Sequence, residues 1–232
     1  MLRSCRENGY TSTREGNCHE TNRYQAVVIG GSSGGLEALQ EVLASLPSGF
    51  GLPIIVVLHR DPTSRELLAH LVDRYCRLAV KEADEKESIR PGVVYIAPAN
   101  YHLLVELDRT LSLSVDPRVC YARPSIDVLF ETAADAYGCR HSDGALSARS
   151  GLVGILLTGA NHDGTDGLRR IKVRGGVTVV QDPTSARAAA MPHSAIQAGV
   201  VDHVLSLAEI AALLVNAHPD MEVDGGGQGR KG

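Results

Sequence analysis

The stretch AVVIGGSSGGLEALQEVLASL, residues 26–46, gives the clearest indication of the fold of this chain. Its first five residues form a continuous apolar run, which is typical of a fully buried strand. A turn rich in glycine and serine follows, and apolar residues then recur at helical spacing over 34–46. A buried strand that leads through a tight turn into an amphipathic helix is a building unit of α/β sheets.

Similar units recur along the chain. Apolar runs predict further strands at 53–59, 93–98, 103–107, 111–115, 152–159, 176–182 and 201–207. Helical spacing predicts helices at 64–76, 125–137, 165–174, 184–198 and 207–217. This alternation predicts a doubly wound, mostly parallel α/β sheet with helices on both faces. The runs at 103–107 and 111–115 predict an antiparallel hairpin at an edge of that sheet.

The composition favours one globular domain and excludes several classes of protein. Hydrophobic residues make up 44% of the 232 residues, and the formal net charge is −4. Nucleic-acid-binding domains usually have a basic surface, so we expect no nucleic-acid partner. No apolar run approaches the roughly 20 residues of a membrane helix, so we expect no membrane insertion.

The cysteine pattern and the chain ends complete this assignment. The five cysteines are odd in number, widely spaced and without a C-x-x-C pair, which indicates reduced thiols rather than disulfides or a zinc site. We therefore expect a cytoplasmic protein with no metal and no cofactor. Residues 1–23 and 219–232 are polar and aperiodic, which predicts disordered tails around one catalytic domain at 24–218.

Three reactive side chains lie where predicted parallel strands end. Ser32 follows the first strand, His59 follows the second, and Asp163 lies in the loop after the strand at 152–159. Sites in an open parallel sheet form at the carboxyl ends of its strands. A hydroxyl, an imidazole and a carboxylate at one edge are the components of a Ser-His-Asp triad.

The glycine-rich turn alone does not identify the nucleophile. The pattern G-x-S-x-G, in which a serine is exposed on a tight strand-to-helix turn, fits both Ser32 and Ser33. A glycine-rich turn before a helix also binds anions, so an anion-binding loop or a plain tight turn stays open as an alternative. The G-x-G-x-x-G and Walker patterns of nucleotide-binding loops are absent.

The base and the acid of the predicted triad are chosen by their position. Of nine histidines, only His59 and His162 follow a strand at this edge, and we favour His59 as the general base. Asp163 is the favoured acid. The other candidate acids are predicted to be helix N-caps or to lie inside a helix: Asp61, Asp182 and Asp166.

Six stretches of the chain together form a highly specific pattern. They are VVIGGSSGGLEAL (27–39), LHRDP (58–62), VKEADEKESIRPGVVYIAP (80–98), ARPSIDVLF (122–130), LLTGANHDGTDG (156–167) and AMPHSAI (190–196). Across most of 26–215, the chain resembles the catalytic domain of the chemotaxis protein-glutamate methylesterases. The resemblance implies a doubly wound α/β fold and a triad in which Ser32 is the nucleophile, His59 the base and Asp163 the acid. It therefore favours Ser32 over Ser33.

The resemblance also implies a reaction and a substrate. Enzymes of this family hydrolyse glutamate methyl esters in the cytoplasmic helical region of methyl-accepting chemotaxis-type receptors, and some also deamidate receptor glutamines. Backbone N–H groups near Ser33 and Ala160 would then bind the oxyanion. Arg123 would contact the receptor segment, although a surface salt bridge is the alternative role for it. An esterase for another small ester on the same scaffold, or a non-catalytic anion-binding module, are the competing interpretations.

The chain departs from the family pattern in two places. Many family members have a receiver domain before the catalytic domain, whereas only about 25 residues precede the first strand here. We therefore expect an open site without that switch, with a separate regulator acting in trans as the alternative. The acid loop, often T-G-M-G-N-D-G in the family, has Ala160, Asn161 and His162 before Asp163.

Overall fold

The computed structural model describes residues 24–60, 68–138 and 150–217 of the chain. The strands are β1 (Ala26–Gly31), β2 (Ile54–Leu58), β3 (Ala79–Glu82), β4 (Val93–Ile96), β5 (His102–Val105), β6 (Leu111–Ser114), β7 (Leu152–Leu156), β8 (Val177–Gln181) and β9 (His203–Leu205). The helices are α1 (Gly35–Ala44), α2 (Leu68–Asp73), α3 (Ile126–Tyr137), α4 (Thr165–Val173), α5 (Ala190–Gln197) and α6 (Leu207–Asn216). The predicted tails at 1–23 and 219–232 lie outside the described residues.

Seven strands form one parallel sheet in the order β3-β4-β2-β1-β7-β8-β9. Strand β1 lies at the centre, paired with β2 on one side and β7 on the other. The register places Gly31 opposite Leu58 and Gly30 opposite Leu156, so these three strands end at the same level. The predicted doubly wound parallel fold is confirmed, and the loops that follow β1, β2 and β7 are neighbours.

Two apolar layers cover the sheet because successive side chains of a buried strand point to opposite faces. Val27 and Ile29 pack with α1, α2 and α6, whereas Ala26 and Val28 pack with α3, α4 and α5. All six residues of β1 are buried. Burial of each large aliphatic side chain stabilises the fold by about 1.5–3 kcal/mol, which explains why the central strands are continuous apolar runs.

The predicted hairpin is present, but it does not extend the main sheet. Strands β5 and β6 pair with each other as a separate two-stranded antiparallel sheet. Leu103, Val105 and Leu111 of the hairpin are buried in the same layer as α3, and the Val105 amide donates to Thr132 Oγ1 at 3.1 Å. The hairpin therefore packs on the helical layer, while the two edges of the main sheet are formed by β3 and β9.

Two local predictions differ from the structure for identifiable reasons. Strand β3 was not predicted because none of its four side chains is fully buried and its sequence, AVKE, is half polar. Asp182 was predicted to cap a helix, but its Oδ1 accepts from the Thr184 amide at 2.8 Å in a turn, and α5 begins only at Ala190. The equivalent prediction for Asp61 lies outside the described residues.

None of the described helices is both long and apolar enough to cross a membrane.

Candidate active site

The turn after β1 holds Ser32 at the carboxyl edge of the sheet. The Ser32 amide donates to Thr158 O at 2.9 Å, and the Gly35 amide, at the start of α1, donates to Ser32 O at 2.7 Å. Gly34 has a φ of 78°, which side chains other than glycine rarely adopt, and a Cβ there would meet Arg187 Cβ at 2.8 Å. The sequence Ser-Ser-Gly-Gly therefore turns sharply and leaves Ser32 half-buried and Ser33 exposed.

Thr158, which lies just after β7, fastens this turn to the neighbouring loop. Its buried hydroxyl lies 2.9 Å from Ser33 O and accepts from the Ala188 amide at 2.8 Å. The Thr158 amide in turn donates to Gln181 Oε1 at 2.9 Å. The serine turn is thus fixed by side-chain hydrogen bonds as well as by the strand from which it emerges.

His59 and Asp163 form a close pair at the same edge. His59 Nε2 lies 2.7 Å from Asp163 Oδ2, and the side chains of His59 and Asp163 are 13% and 0% exposed. Because a carboxylate accepts at Nε2, that nitrogen is the protonated one and Nδ1 has the lone pair. Among the described residues, Nδ1 has a hydrogen-bond contact with Asn161 Nδ2, at 3.4 Å. Nδ1 is therefore the nitrogen that could accept a proton.

Ser32 and His59 face a common cleft. They follow the register pair Gly31 and Leu58 on adjacent strands, whose backbones in a sheet lie about 4.8 Å apart. Both residues line a cavity of about 240 Å³. Ser32 Oγ makes no hydrogen bond to a described residue, and catalytic hydrogen bonds are often long without substrate. The structure thus brings Ser32, His59 and Asp163 to one edge of the sheet without a direct Ser32–His59 hydrogen bond.

Asp163 lies in the loop between β7 and α4, and its carboxylate reaches the N-terminus of α3, where it accepts several hydrogen bonds. Its Oδ1 accepts from the Ser125 hydroxyl at 2.9 Å and the Asp127 amide at 3.0 Å, and its Oδ2 also accepts from the Ile126 amide at 2.8 Å. Burial opposes ionisation, but the hydrogen bonds from His59 and from these amides outweigh it and hold the pKa of Asp163 below its usual range. Asp163 is therefore a fixed anion at a helix N-terminus.

Asp127 makes the reciprocal contact to the next helix. From the first turn of α3, its Oδ1 accepts from the Gly164 amide at 2.9 Å and the Gly167 amide at 2.8 Å, at the start of α4. Burial, together with the charge of nearby Asp163, raises the pKa of Asp127 to about 7. The first amides of α3 thus donate to Asp163, from the loop before α4, and amides at the start of α4 donate to Asp127 of α3. These two sets of hydrogen bonds fix the position of Asp163.

The pKa of Asp127 predicts a specific pH dependence of stability. The folded protein binds a proton at Asp127 more tightly than the unfolded chain does, so this contribution is complete below about pH 4 and is lost as the pH rises through about 7. Asp127→Asn keeps an oxygen for the two glycine amides and removes the titration. We expect the variant to be more stable than the parent at about pH 8, by about 1–3 kcal/mol, with the difference shrinking towards pH 4.5. Calorimetric unfolding at both pH values tests this, and a pH-independent difference would contradict it.

The other predicted site residues lie around the same edge. Neither the Ser33 amide nor the Ala160 amide has a hydrogen-bond acceptor within the described ranges, so both donors are available to a ligand. Arg123 donates to Asn100 Oδ1 at 3.0 Å and also to the carbonyls of Val115 and Asp116. Its guanidinium is therefore engaged with two loops, and it makes no salt bridge to a described residue.

One group of side chains near Asp163 could approach a metal ion. Cys120, Asp127 and Asp163 have ligand atoms within 4.8 Å of one another, and in the described part of the chain they are the one group of three such side chains. Both oxygens of Asp163 and one of Asp127 already accept hydrogen bonds. Burial, and then the charge of Asp163, raises the pKa of the Cys120 thiol to about 11, which disfavours the thiolate that binds metals. These residues fit a hydrogen-bonded network better than a metal site.

Sequence reasoning missed the residues that support Asp163. Ser125, Ile126 and Asp127 were assigned only to a predicted helix, although a serine at a helix start indicates N–H groups that need an acceptor. That signal locates the helix start but does not name the distant Asp163 as its partner. Asn161 was noted only as a departure from the family pattern, yet its Oδ1 accepts from the Asp163 amide at 3.2 Å.

A solved structure defines the class of protein to which this fold and site belong. The catalytic domain of the CheB methylesterase of Thermotoga maritima aligns with 84% of this chain and 99% of its own length, with a TM-score of 0.76 and 32% sequence identity. The architecture is thus that of a CheB-type catalytic domain.

Sequence comparison identifies the family. Residues 27–214 match the CheB methylesterase family, so the chain belongs to it, as its motifs suggested. A putative protein-glutamate methylesterase/protein-glutamine glutaminase of Leptospira interrogans is 48% identical over 192 residues, which are 83% of this chain and 94% of that protein. The protein-glutamate methylesterase FrzG of Myxococcus xanthus is 36% identical over 83% of this chain, but this covers only 54% of its own length.

Proposed function

We propose that this chain is a protein-glutamate methylesterase that uses Ser32, His59 and Asp163 as a catalytic triad. The main support is the 2.7 Å contact between His59 and Asp163, beside the strand end that presents Ser32, in a chain of the CheB methylesterase family. The proposed substrates are glutamate methyl esters in the cytoplasmic helical region of chemotaxis-type receptors. Arg123 and the Ser33 and Ala160 amides belong to the proposed substrate site.

The proposed reaction begins with proton transfer from Ser32 Oγ to His59 Nδ1. The alkoxide attacks the ester carbonyl, and the developing oxyanion accepts hydrogen bonds from the Ser33 and Ala160 amides. Asp163 stabilises the imidazolium through Nε2. When the tetrahedral intermediate collapses, the C–O bond to methoxide breaks and His59 returns the proton, releasing methanol. Water then cleaves the acyl-enzyme by the same steps and leaves a glutamate carboxylate.

Asn161 has to adjust during this cycle. Its amide lies 3.4 Å from His59 Nδ1, the nitrogen that receives the proton from Ser32. In the resting site this contact holds the imidazole ring, and the approach of Ser32 Oγ to Nδ1 replaces it. Deamidation of receptor glutamines follows the same scheme, with ammonia leaving in place of methanol, and we include it in the proposed activity.

Methanol release from a methylated receptor tests this function. We expect the purified chain to release methanol from receptor that carries glutamate methyl esters, and a serine-directed phosphonate to abolish the release. If the phosphonate labels the protein but no methanol appears, the chain is an esterase for another substrate. If it neither labels nor releases methanol, the anion-binding interpretation gains support. Both outcomes would contradict the proposed function.

A further inference from the structure

A second cleft beside His59 has a volume of about 200 Å³, and four large apolar side chains are exposed on the turn that lines it and on the two loops that Arg123 joins to that turn. They are Tyr101 (42% exposed), Val115 (66%), Val119 (37%) and Tyr121 (92%). Tyr121 also lines the cleft, together with Arg118 and Arg123. Isolated exposed apolar residues are ordinary, but a group of them beside a functional cleft is typical of an interaction surface.

The turn that presents Tyr121 has an unfavourable backbone conformation. The amides of Val119 and Ala122 each donate to the other's carbonyl, at 3.1 and 2.8 Å, which closes a tight turn. Its two central residues, Cys120 and Tyr121, have φ angles of 48° and 63°. Asparagine or glycine would adopt this left-handed conformation at lower cost than tyrosine. Since Tyr121 is almost fully exposed, its packing within the described structure does not offset that cost.

Arg123 holds this surface together. Four of its N–H contacts join the Asn100 side chain, next to Tyr101, to the carbonyls of Val115 and Asp116. A planar guanidinium can make these contacts at once, whereas a lysine ammonium cannot reproduce their directions. Arg123 therefore acts as a positioning residue for the loops around Tyr121, in addition to lining the cleft.

The charge of this surface matches an acidic partner. Segment 115–123 contains two arginines, Arg118 and Arg123, and one acid, Asp116, for a net charge of +1 in a protein whose overall charge is −4. Arg118 is exposed and makes no salt bridge to a described residue. In the proposed reaction each hydrolysed ester becomes a glutamate carboxylate, so a receptor segment with several such sites is negatively charged at every site that is not methylated.

We propose that Tyr101, Val115, Val119 and Tyr121 form a docking surface, the Tyr121 surface, for the receptor segment that bears the glutamate esters. The occupant is an amphipathic acidic helix whose apolar side chains pack on Tyr121 and whose carboxylates face Arg118. Exposed tyrosines are frequent anchors of such interfaces because they bury a large area at a low entropic cost. This inference rests on the proposed function, since it names the surface by which that site holds its substrate.

The first test compares Tyr121→Ala with Tyr75→Ala. Tyr75 is 57% exposed and follows α2, at the opposite end of the sheet from the active edge, so it is a matched control. We expect Tyr121→Ala to raise the KM for methylated receptor about 10- to 30-fold, with kcat changed less than about threefold. Tyr75→Ala should match the parent protein. Labelling by the serine-directed phosphonate should proceed in Tyr121→Ala at close to the parent rate, because the probe does not need the docking surface.

The second test uses the backbone conformation. Tyr121→Asn should raise Tm by a few degrees because asparagine tolerates the left-handed conformation, yet it should weaken receptor binding as much as alanine does. Binding of a receptor cytoplasmic fragment, measured without turnover, separates this inference from the proposed function. If the parent protein binds the fragment but releases no methanol, the proposed methylesterase function is contradicted, while the proposed docking surface is still supported. Unchanged binding in both Tyr121 variants, or no binding by the parent protein, would overturn the proposal.

Discussion

Replacement of Ser32 by alanine is expected to lower methanol release from methylated receptor by about four to six orders of magnitude. The expected loss is this large because the members of a triad act as a unit, so removing the nucleophile also removes the benefit of its base and acid. The substitution deletes one hydroxyl that makes no hydrogen bond to a described residue, so the fold should be unaffected. Initial rates of methanol release, with thermal unfolding as a check of folding, measure the effect.

Ser33→Ala is the matched control for this experiment. Ser33 occupies the second G-x-S-x-G position, is exposed, and contributes only its backbone amide to the proposed oxyanion site. We expect its rate to stay within about tenfold of the parent rate, since only one exposed hydroxyl is removed. A nearly unchanged rate in Ser32→Ala, or a larger loss in Ser33→Ala, would show that Ser32 is not the nucleophile.

Asp163→Asn is expected to lower kcat by about three to four orders of magnitude. The amide cannot stabilise the imidazolium, and it disturbs the His59 tautomer that leaves Nδ1 unprotonated. The structure adds a second effect, because either orientation of the amide places its NH2 group against a backbone N–H, of Ile126 or of Asp127. We therefore also expect a loss of stability of about 1–3 kcal/mol. Steady-state kinetics and denaturant unfolding measure the two effects separately.

Asp166→Asn provides the control for Asp163→Asn. Asp166 is exposed in the first turn of α4 and pairs with Arg169 on the same helix. An exposed pair of this kind contributes little to stability, so the control should resemble the parent protein in both measurements. If Asp163→Asn loses stability but keeps its kcat, Asp163 is a helix cap without a catalytic role.

The fold was predictable because its central strands are continuous apolar runs. Residues 26–30 and 152–157 are buried on both faces, so their pattern shows little ambiguity, and the strand-helix alternation then requires parallel pairing. Strand β3 was not predictable in this way because its side chains are incompletely buried at the edge of the sheet. The position of the hairpin could not be predicted from the sequence either, because its contacts with α3 depend on tertiary packing and leave no local sequence pattern.

The candidate site was predictable to the extent that its residues follow strand ends. Strand order placed Ser32, His59 and Asp163 at one edge, and the family resemblance was needed to choose between Ser32 and Ser33. The supporting hydrogen bonds of Asp163 join residues 36 to 38 positions apart, which no spacing rule connects. The nitrogen of His59 that faces Asp163 also follows only from the three-dimensional position of the ring.

The reciprocal contacts of α3 and α4 explain how this edge keeps its geometry. Asp163 accepts from the first amides of α3, and Asp127 accepts from amides at the start of α4. A shift of either helix would break hydrogen bonds at both carboxylates. The position of the proposed acid is therefore fixed by secondary structure on two sides, as a preorganised site requires.

If Ser32 is a nucleophile activated by His59 and Asp163, a reagent directed at reactive serines should modify it selectively. The most direct test is to treat the parent protein with a serine-directed phosphonate, digest it, and locate the adduct by mass spectrometry. We expect a single adduct on Ser32, formed at a rate that falls by orders of magnitude in His59→Ala. An adduct on Ser33, or no adduct under conditions in which the protein releases methanol, would contradict it.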